Sequence, residues 1–320
     1  MVDYLDAAEV ERRLDRGAVL PALRTAFAGL TTGASRQPAQ TTMAYPGDAG
    51  DCIFYPGLIT DLDVVGVKAS PYTAGRAATG TGPVTAYTLL LSASTGEPRL
   101  LCDSLALTAI RTAATTALAV DLLAPDDASS LAVIGAGPVA LEHLRFALPL
   151  RDWSDIAVFS PALADPRSPG HADRRAALAA VTSTAGTPVS VADSVEAAVS
   201  RRDVVLLCTS SSTPVADPEL LESAGDVLVS AVGADGARGS EMEPSALPRW
   251  QVFCDYRATA PLTAGDFITA IERGDWEAAD IVADLPELVT GAVAVRREGL
   301  RYFRSTGLGI EDLAVASLLG

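Results

Sequence analysis

The sequence predicts an α/β protein in which a doubly wound domain follows a mostly antiparallel sheet, and three observations carry that prediction. From Ser130 onward, short apolar strands alternate with helices ("SLAVIGAG", "DIAVFSP", "DVVLLCTS", "DVLVSAVG"), the pattern of a parallel sheet covered on both faces. The first of these strands runs directly into Gly135 and Gly137 and then a helix, where glycines let the backbone approach a pyrophosphate; this marks a Rossmann-type domain. Before Ser130 the chain carries strand-like pieces instead: "TTMAYP", "CIFYPGL", "VVGVKAS", and a hairpin, "VTAYTLLLSASTGEPRLLCD", turning at Thr95 and Gly96.

Taken in order, the chain opens on an acidic amphipathic stretch, "MVDYLDAAEVERRL", and a helix ending near Gly33, followed by the N-terminal strands. Asp103 or Ser104 can cap a helix, "LALTAIRTAATTALAVDLLA", which stops at Pro125. The doubly wound series follows and ends at the strand "QVFCD". After Asp255 the expectation is helix through "DFITAIERGDWEAADIVADLPELV", then a turn and a last apolar-faced helix in "YFRSTGLGIEDLAVASLLG". No internal repeat or low-complexity linker interrupts this.

Composition narrows the function. The 320 residues are 49% hydrophobic, ample for a sizeable core, and the net charge of −16 repels nucleic acid and anionic membranes. The start lacks the basic-then-apolar order of a secretory signal and no uninterrupted apolar run is long enough to cross a bilayer, so a cytoplasmic protein with neither nucleic-acid nor membrane partners is expected. Cys52, Cys102, Cys208 and Cys254 are far apart in mostly apolar runs, and His143 and His171 have no acidic or thiol cluster at ligand spacing. No disulfide framework and no metal site are therefore expected.

Several residues stand out chemically. Lys68 is the one lysine among 24 basic residues, a compact, tunable point charge where every other cation is a planar guanidinium. In "VIGAGPVA" the turn Gly135, Gly137, Pro138, Val139 reads as a cofactor cradle, with Ala140 at the third fingerprint position. The second strand of such a domain usually ends in an acid that holds the ribose of NAD. Here it ends in Ser160, which can donate to a 2′-phosphate, with Arg167 close by and Asp165 also near; this favours NADP(H), with NAD(H) as the alternative. Thr209, after "VVLLC", reads either as a contact to the nicotinamide end or as a loop hydroxyl. Asp235 sits at the carboxyl end of "DVLVSAVG", where ligands of open α/β sheets bind; a plain Asp-Gly turn is the competing reading. Arg111 lies amid Thr112, Ala113 and Ala114, whose small side chains allow close approach by cofactor or substrate.

The pieces "VGVKAS", "LTAIRTAATTALA", "VIGAGPVA", "VGADGARGSEMEP" and "STGLGIEDLA", in that order, resemble the ornithine cyclodeaminase/mu-crystallin family over nearly the whole chain. The resemblance implies a substrate and dimerisation domain, 1–124 completed by 303–320, around a Rossmann domain at 125–302, in a homodimer built through the N-terminal sheet. It implies that Lys68 faces the carboxyl or imine region of the substrate, that Arg111 pairs with a carboxylate, and that Asp235 helps bind the amine and move a proton. Two departures qualify it. Gln40 stands where many relatives have arginine, which weakens a second carboxylate contact. Ile53 stands where ornithine cyclodeaminases have glutamate, and it cannot hold a distal ammonium. The reading is thus an NAD(P)H-dependent oxidoreductase acting on the C=N bond of an imine or amino-acid-like small molecule. The alternatives are an ammonia-releasing lyase that recycles NAD+ and a non-catalytic NADPH and small-ligand binder.

Overall fold

The computed structural model of the protein describes residues 4–79, 82–183, 186–233 and 239–320. The chain divides into two compact units, Met1–Arg111 with Gly307–Gly320, and Thr112–Thr306. Neither division falls at the expected boundary. The first lies at 111/112, inside the Leu105–Leu123 helix, where 124/125 was expected; the second lies at 306/307 instead of 302/303.

In the first unit β1 (Tyr4–Leu5), β2 (Ser35–Arg36), β3 (Thr41–Ala44), β4 (Gly50–Ile59), β5 (Val64–Thr73), β6 (Tyr87–Ser92) and β7 (Pro98–Asp103) form one sheet. The order is β1-β7-β6-β5-β4-β2, with β3 paired to β4; β1 runs parallel to β7 and the other pairs are antiparallel. The expected N-terminal helix is broken. Tyr4–Leu5 is strand, Asp6 caps a short helix at Ala7–Arg13, and Asp15 caps a second at Arg16–Thr32 that ends on left-handed Gly33.

Side-chain alternation puts Tyr55, Lys68 and Thr88 directly opposite one another on one sheet face. The Gly309–Ala316 helix packs on that same face, and glycines let it. A Cβ at Gly57 would sit 3.0 Å from Leu313 and 3.1 Å from the Ile310 nitrogen, and a Cβ at Gly309 would collide with the carbonyl of Pro56. The helix also starts from a side-chain cap that the sequence did not single out, Gln37, whose Oε1 accepts from the Ile310 amide at 3.0 Å.

In the second unit β8 (Ser130–Ile134), β9 (Asp155–Phe159), β10 (Val189–Val191), β11 (Val204–Leu207), β12 (Val227–Ala231), β13 (Gln251–Cys254), β14 (Ile281–Asp284) and β15 (Leu300–Arg304) pair in parallel throughout. The order is β10-β9-β8-β11-β12-β15-β13-β14. The sequence reading missed β14 and β15. The first is four residues inside a stretch read as helix, and the second, "LRYFR", holds two arginines that the apolar-run criterion rejects, although both are fully buried.

The Leu105–Leu123 helix is long and apolar enough to cross a membrane by length and composition. It carries Arg111 and Asp121, and 72% of its apolar window is buried within the fold, as in a core helix.

Candidate active site

In the first unit, four buried charges meet where the sheet, the Leu105–Leu123 helix and the Gly309–Ala316 helix come together. Lys68 Nζ lies 3.0 Å from Oδ1 and 2.9 Å from Oδ2 of Asp312, and 4.2 Å from the centre of the Tyr55 ring. Arg111 donates from Nε to Asp312 Oδ1 at 3.1 Å and from Nη1 to Glu311 Oε2 at 2.8 Å. Its third nitrogen, Nη2, meets no acceptor among the described residues. Lys68 is 2% exposed, Arg111 6%, Asp312 1% and Glu311 0%, so two cations and two carboxylates are held almost without water.

Burial sets the proton affinities here. It pulls the Lys68 ammonium down to about 8, more than Asp312 can restore, and the neighbouring Arg111 charge pulls in the same direction. Arg111 is pushed up despite the same burial, because Asp312 and Glu311 both stabilise its charge. Burial raises the Tyr55 phenol. The cluster thus contains one permanent cation and one whose proton comes off near neutrality.

The backbone explains how these groups fit. Gly307 is in the left-handed region, φ +79°, and a Cβ there would meet the Arg111 guanidinium at 2.6 Å. The "TGLG" turn therefore serves twice: Gly307 makes room for Arg111 and Gly309 lets the helix bearing Glu311 and Asp312 close on β4.

In the second unit the turn after β8 has the properties of a phosphate cradle. Gly135 adopts φ +135°, where a Cβ would strike the Cys208 carbonyl. Gly137 is the N-cap of the Pro138–Ala147 helix, and a Cβ on it would project into open space, the room an approaching pyrophosphate requires. Pro138 takes the first helical position, and no side chain caps the helix, so the amides of its first turn, beginning at Val139, are left for an anion.

The other expected contacts are less available. Ser160 caps the Pro161–Ala164 helix, its Oγ accepting from the Ala162 amide at 3.3 Å, which leaves its proton free to donate. Arg167 is tied to Asp165 at 3.0 Å on the surface. Thr209 gives both its amide and its hydroxyl proton to Glu241, at 2.7 and 2.6 Å, and Glu241 also accepts from the amides of Val232 and Gly233. The hydroxyl read as a nicotinamide contact is therefore a staple between the ends of β11 and β12. Thr112 is buried in the helix. Gln40 is half-buried just before β3 and makes no hydrogen bond to Lys68, Arg111, Glu311 or Asp312 among the described residues. Asp235 lies outside the described residues.

The sequence reading placed Lys68 and Arg111 together and missed the carboxylates that hold them. Glu311 and Asp312 were legible only as part of "STGLGIEDLA"; the signal that could have found them is two adjacent acids inside an otherwise apolar helix.

The sequence model of the ornithine cyclodeaminase/mu-crystallin family matches residues 1–319. The chain is 44% identical to the NAD(P)H-dependent anabolic L-arginine dehydrogenase DauB of Pseudomonas aeruginosa, over 98% of this chain and 94% of that one. It is 27% identical to the ketimine reductase mu-crystallin of Macropus fuliginosus, over 99% and 96%. Among solved structures, the Δ1-pyrroline-2-carboxylate reductase of Thermococcus litoralis, in complex with NADH and L-proline, shares the fold with a TM-score of 0.88 at 23% identity, covering 100% of this chain and 96% of that one. An archaeal alanine dehydrogenase with bound NAD gives 0.86 at 25% identity over 99% and 94%.

Proposed function

We propose a function that proceeds from one premise: the chain belongs to the ornithine cyclodeaminase/mu-crystallin family. It is an NAD(P)H-dependent oxidoreductase acting on the C=N bond of an imino acid. Imine, NAD(P)H and a proton give amine and NAD(P)+; in reverse, an amino acid is oxidised to the imine, which water converts to oxo acid and ammonia.

The observation that carries this reading is the buried Lys68–Asp312–Arg111 cluster. The residues of the second unit fit a dinucleotide: the first-turn amides after Gly137 suit its pyrophosphate, and Ser160 can donate to a 2′-phosphate, which favours NADP(H) over NAD(H). When bound, the nicotinamide supplies or accepts the hydride. Arg111 offers its remaining Nη2 edge to the substrate carboxylate while Asp312 and Glu311 fix the plane of the guanidinium. Lys68, losing its proton near pH 8, delivers a proton toward the nitrogen in reduction and takes one in oxidation. Asp235 assists with the amine, as the family resemblance implies.

We further propose a homodimer through the face of the first-unit sheet opposite Lys68. That face shows Tyr4 at 51% exposure, Met43 at 58% and Tyr87 at 39%, beside the half-buried Phe54, Val67 and Leu89. The cytoplasm, a reducing compartment, suits its four buried free cysteines.

The test is a panel of L-amino acids with NADP+ or NAD+, and of oxo acids with ammonia and the reduced nucleotides, L-arginine included because of the Pseudomonas aeruginosa relative. One nucleotide converted per product is expected. Ammonia released without net nucleotide change would mean a lyase, and no turnover at all would mean a binding protein.

A further inference from the structure

We infer that Tyr55 is a positioning residue for proton transfer at Lys68, acting through the face of its ring: that face, together with Asp312, holds the ammonium in place and strengthens its hold on the proton. This rests on the function proposed above and adds to it a residue that acts through Lys68.

Tyr55 and Lys68 are direct partners in the β4–β5 ladder, so both side chains stand on one face of the sheet. Residues opposed in this way have Cβ atoms about 4.5–5.5 Å apart. Lys68 Nζ comes to rest 4.2 Å from the centre of the Tyr55 ring, well inside the roughly 6 Å over which an aromatic face attracts a cation. The ring makes this contact and the hydroxyl does not: burial raises the phenol, so it carries no charge near neutrality, and it makes no hydrogen bond among the described residues.

The other groups facing Lys68 leave the ring a distinct part. From the Gly309–Ala316 helix come Asp312, at 3.0 and 2.9 Å from Nζ, and Glu311, a smaller attraction. From the Leu105–Leu123 helix comes Arg111, which opposes the ammonium. On β6 the uncharged Thr88 stands directly opposite, and beyond it on β7 is the Cys102 thiol, kept neutral by burial. Asp312 is shared, because its Oδ1 also accepts from Arg111 Nε at 3.1 Å. A second carboxylate in place of Tyr55 would return Lys68 to the ordinary lysine range, where it holds its proton too firmly to pass it on. An aliphatic side chain would leave the desolvated ammonium with little besides the shared Asp312. An aromatic face lies between these extremes: it attracts the cation without a formal charge, an effect on the order of one pH unit when water is excluded.

The chain has one lysine, so protein grown with lysine carrying carbon-13 at Cε gives a single lysine signal, whose shift against pH reads the titration of Lys68 without any need for turnover. Tyr55→Phe keeps the aromatic face and is expected to titrate with wild type, whereas Tyr55→Leu should titrate about one pH unit lower. Pentafluorophenylalanine at the same position keeps the shape of the ring and reverses the charge of its face. It should titrate at least as low as Tyr55→Leu, and it stands in for that variant should the leucine protein not fold. Because the ammonium is then lost at lower pH, the high-pH limb of kcat/KM for imine reduction should move down with the signal in both, and stay in place in Tyr55→Phe. A signal or a limb that stays with wild type when the ring is removed or fluorinated, or a Tyr55→Phe protein that falls as far as Tyr55→Leu, overturns the inference and leaves the oxidoreductase reading standing. No turnover by the wild type with either nucleotide overturns that reading, and the inference with it.

Discussion

Each unit buries an arginine against carboxylate, and the two clusters are finished differently. In the second unit Arg304 donates to Asp266 and to the carbonyls of Ala231, Gly233 and Ser305, so each of its nitrogens has a partner, and Tyr302 gives its hydroxyl proton to the other Asp266 oxygen. In the first unit Arg111 keeps one nitrogen without a partner among the described residues, and Lys68 has Asp312 and an aromatic face for company. Buried ion pairs gain little net stability, because desolvation offsets most of the attraction. A cluster that the chain itself completes is a fastener between β12, β15 and the Gly265–Arg273 helix. One that it leaves incomplete, at the same desolvation cost, has donors ready for something else.

Four substitutions would break or sharpen that contrast, ranked by their effect on turnover. Lys68→Arg should lower kcat/KM at least about a hundredfold, because a planar guanidinium misplaces the donor by about an ångström; steady-state kinetics with nucleotide titration should show the loss without a change in nucleotide affinity. Asp312→Asn should lower turnover by about ten- to a hundredfold, since Lys68 loses the carboxylate that holds its proton and Arg111 loses its Nε partner. Ser160→Asp should weaken NADPH relative to NADH by about tenfold, measured by fluorescence titration, as the carboxylate repels a 2′-phosphate. Tyr302→Phe, in the closed cluster, should leave kcat and KM near wild type while costing about 1–3 kcal/mol in a denaturant melt, because a buried Asp266 oxygen loses its donor. A large loss of turnover in Tyr302→Phe, or a small one in Lys68→Arg, would erase the distinction between the clusters.

The same contrast explains what the sequence made legible. Lys68 stood out because it is the one lysine, and Arg111 because small residues surround it; both signals are local. Glu311 and Asp312 lie 200 residues or more from the cations they hold, and only tertiary closure over Gly57 and Gly309 pairs them. The strand rhythm of β8 to β13 was legible because those strands are nearly continuous apolar runs. β15 was hidden by Arg301 and Arg304, and β14 by its shortness. Thr209 could be placed only in part for a similar reason: its position after β11 is local information, but its hydroxyl donates to Glu241, 32 residues on. The strand-to-helix turn at Gly135 and Gly137 was legible as a turn, and at Gly135 steric rules fix what only glycine can do.

The central claim is that Lys68 carries the working proton, and the dependence of turnover on pH tests it most directly. Burial lowers the pKa of Lys68 to about 8, so its ammonium is intact below that pH and is lost as the pH rises through it. Imine reduction needs the protonated form, so its kcat/KM should fall above about pH 8, whereas amino-acid oxidation needs the neutral form and should rise toward the same value. In Asp312→Asn the stabilising carboxylate is gone, and the limb should move to lower pH in both directions. Profiles with mirrored limbs near pH 8 that shift downward together in Asp312→Asn are the predicted result; a limb that stays in place in that variant would contradict the account.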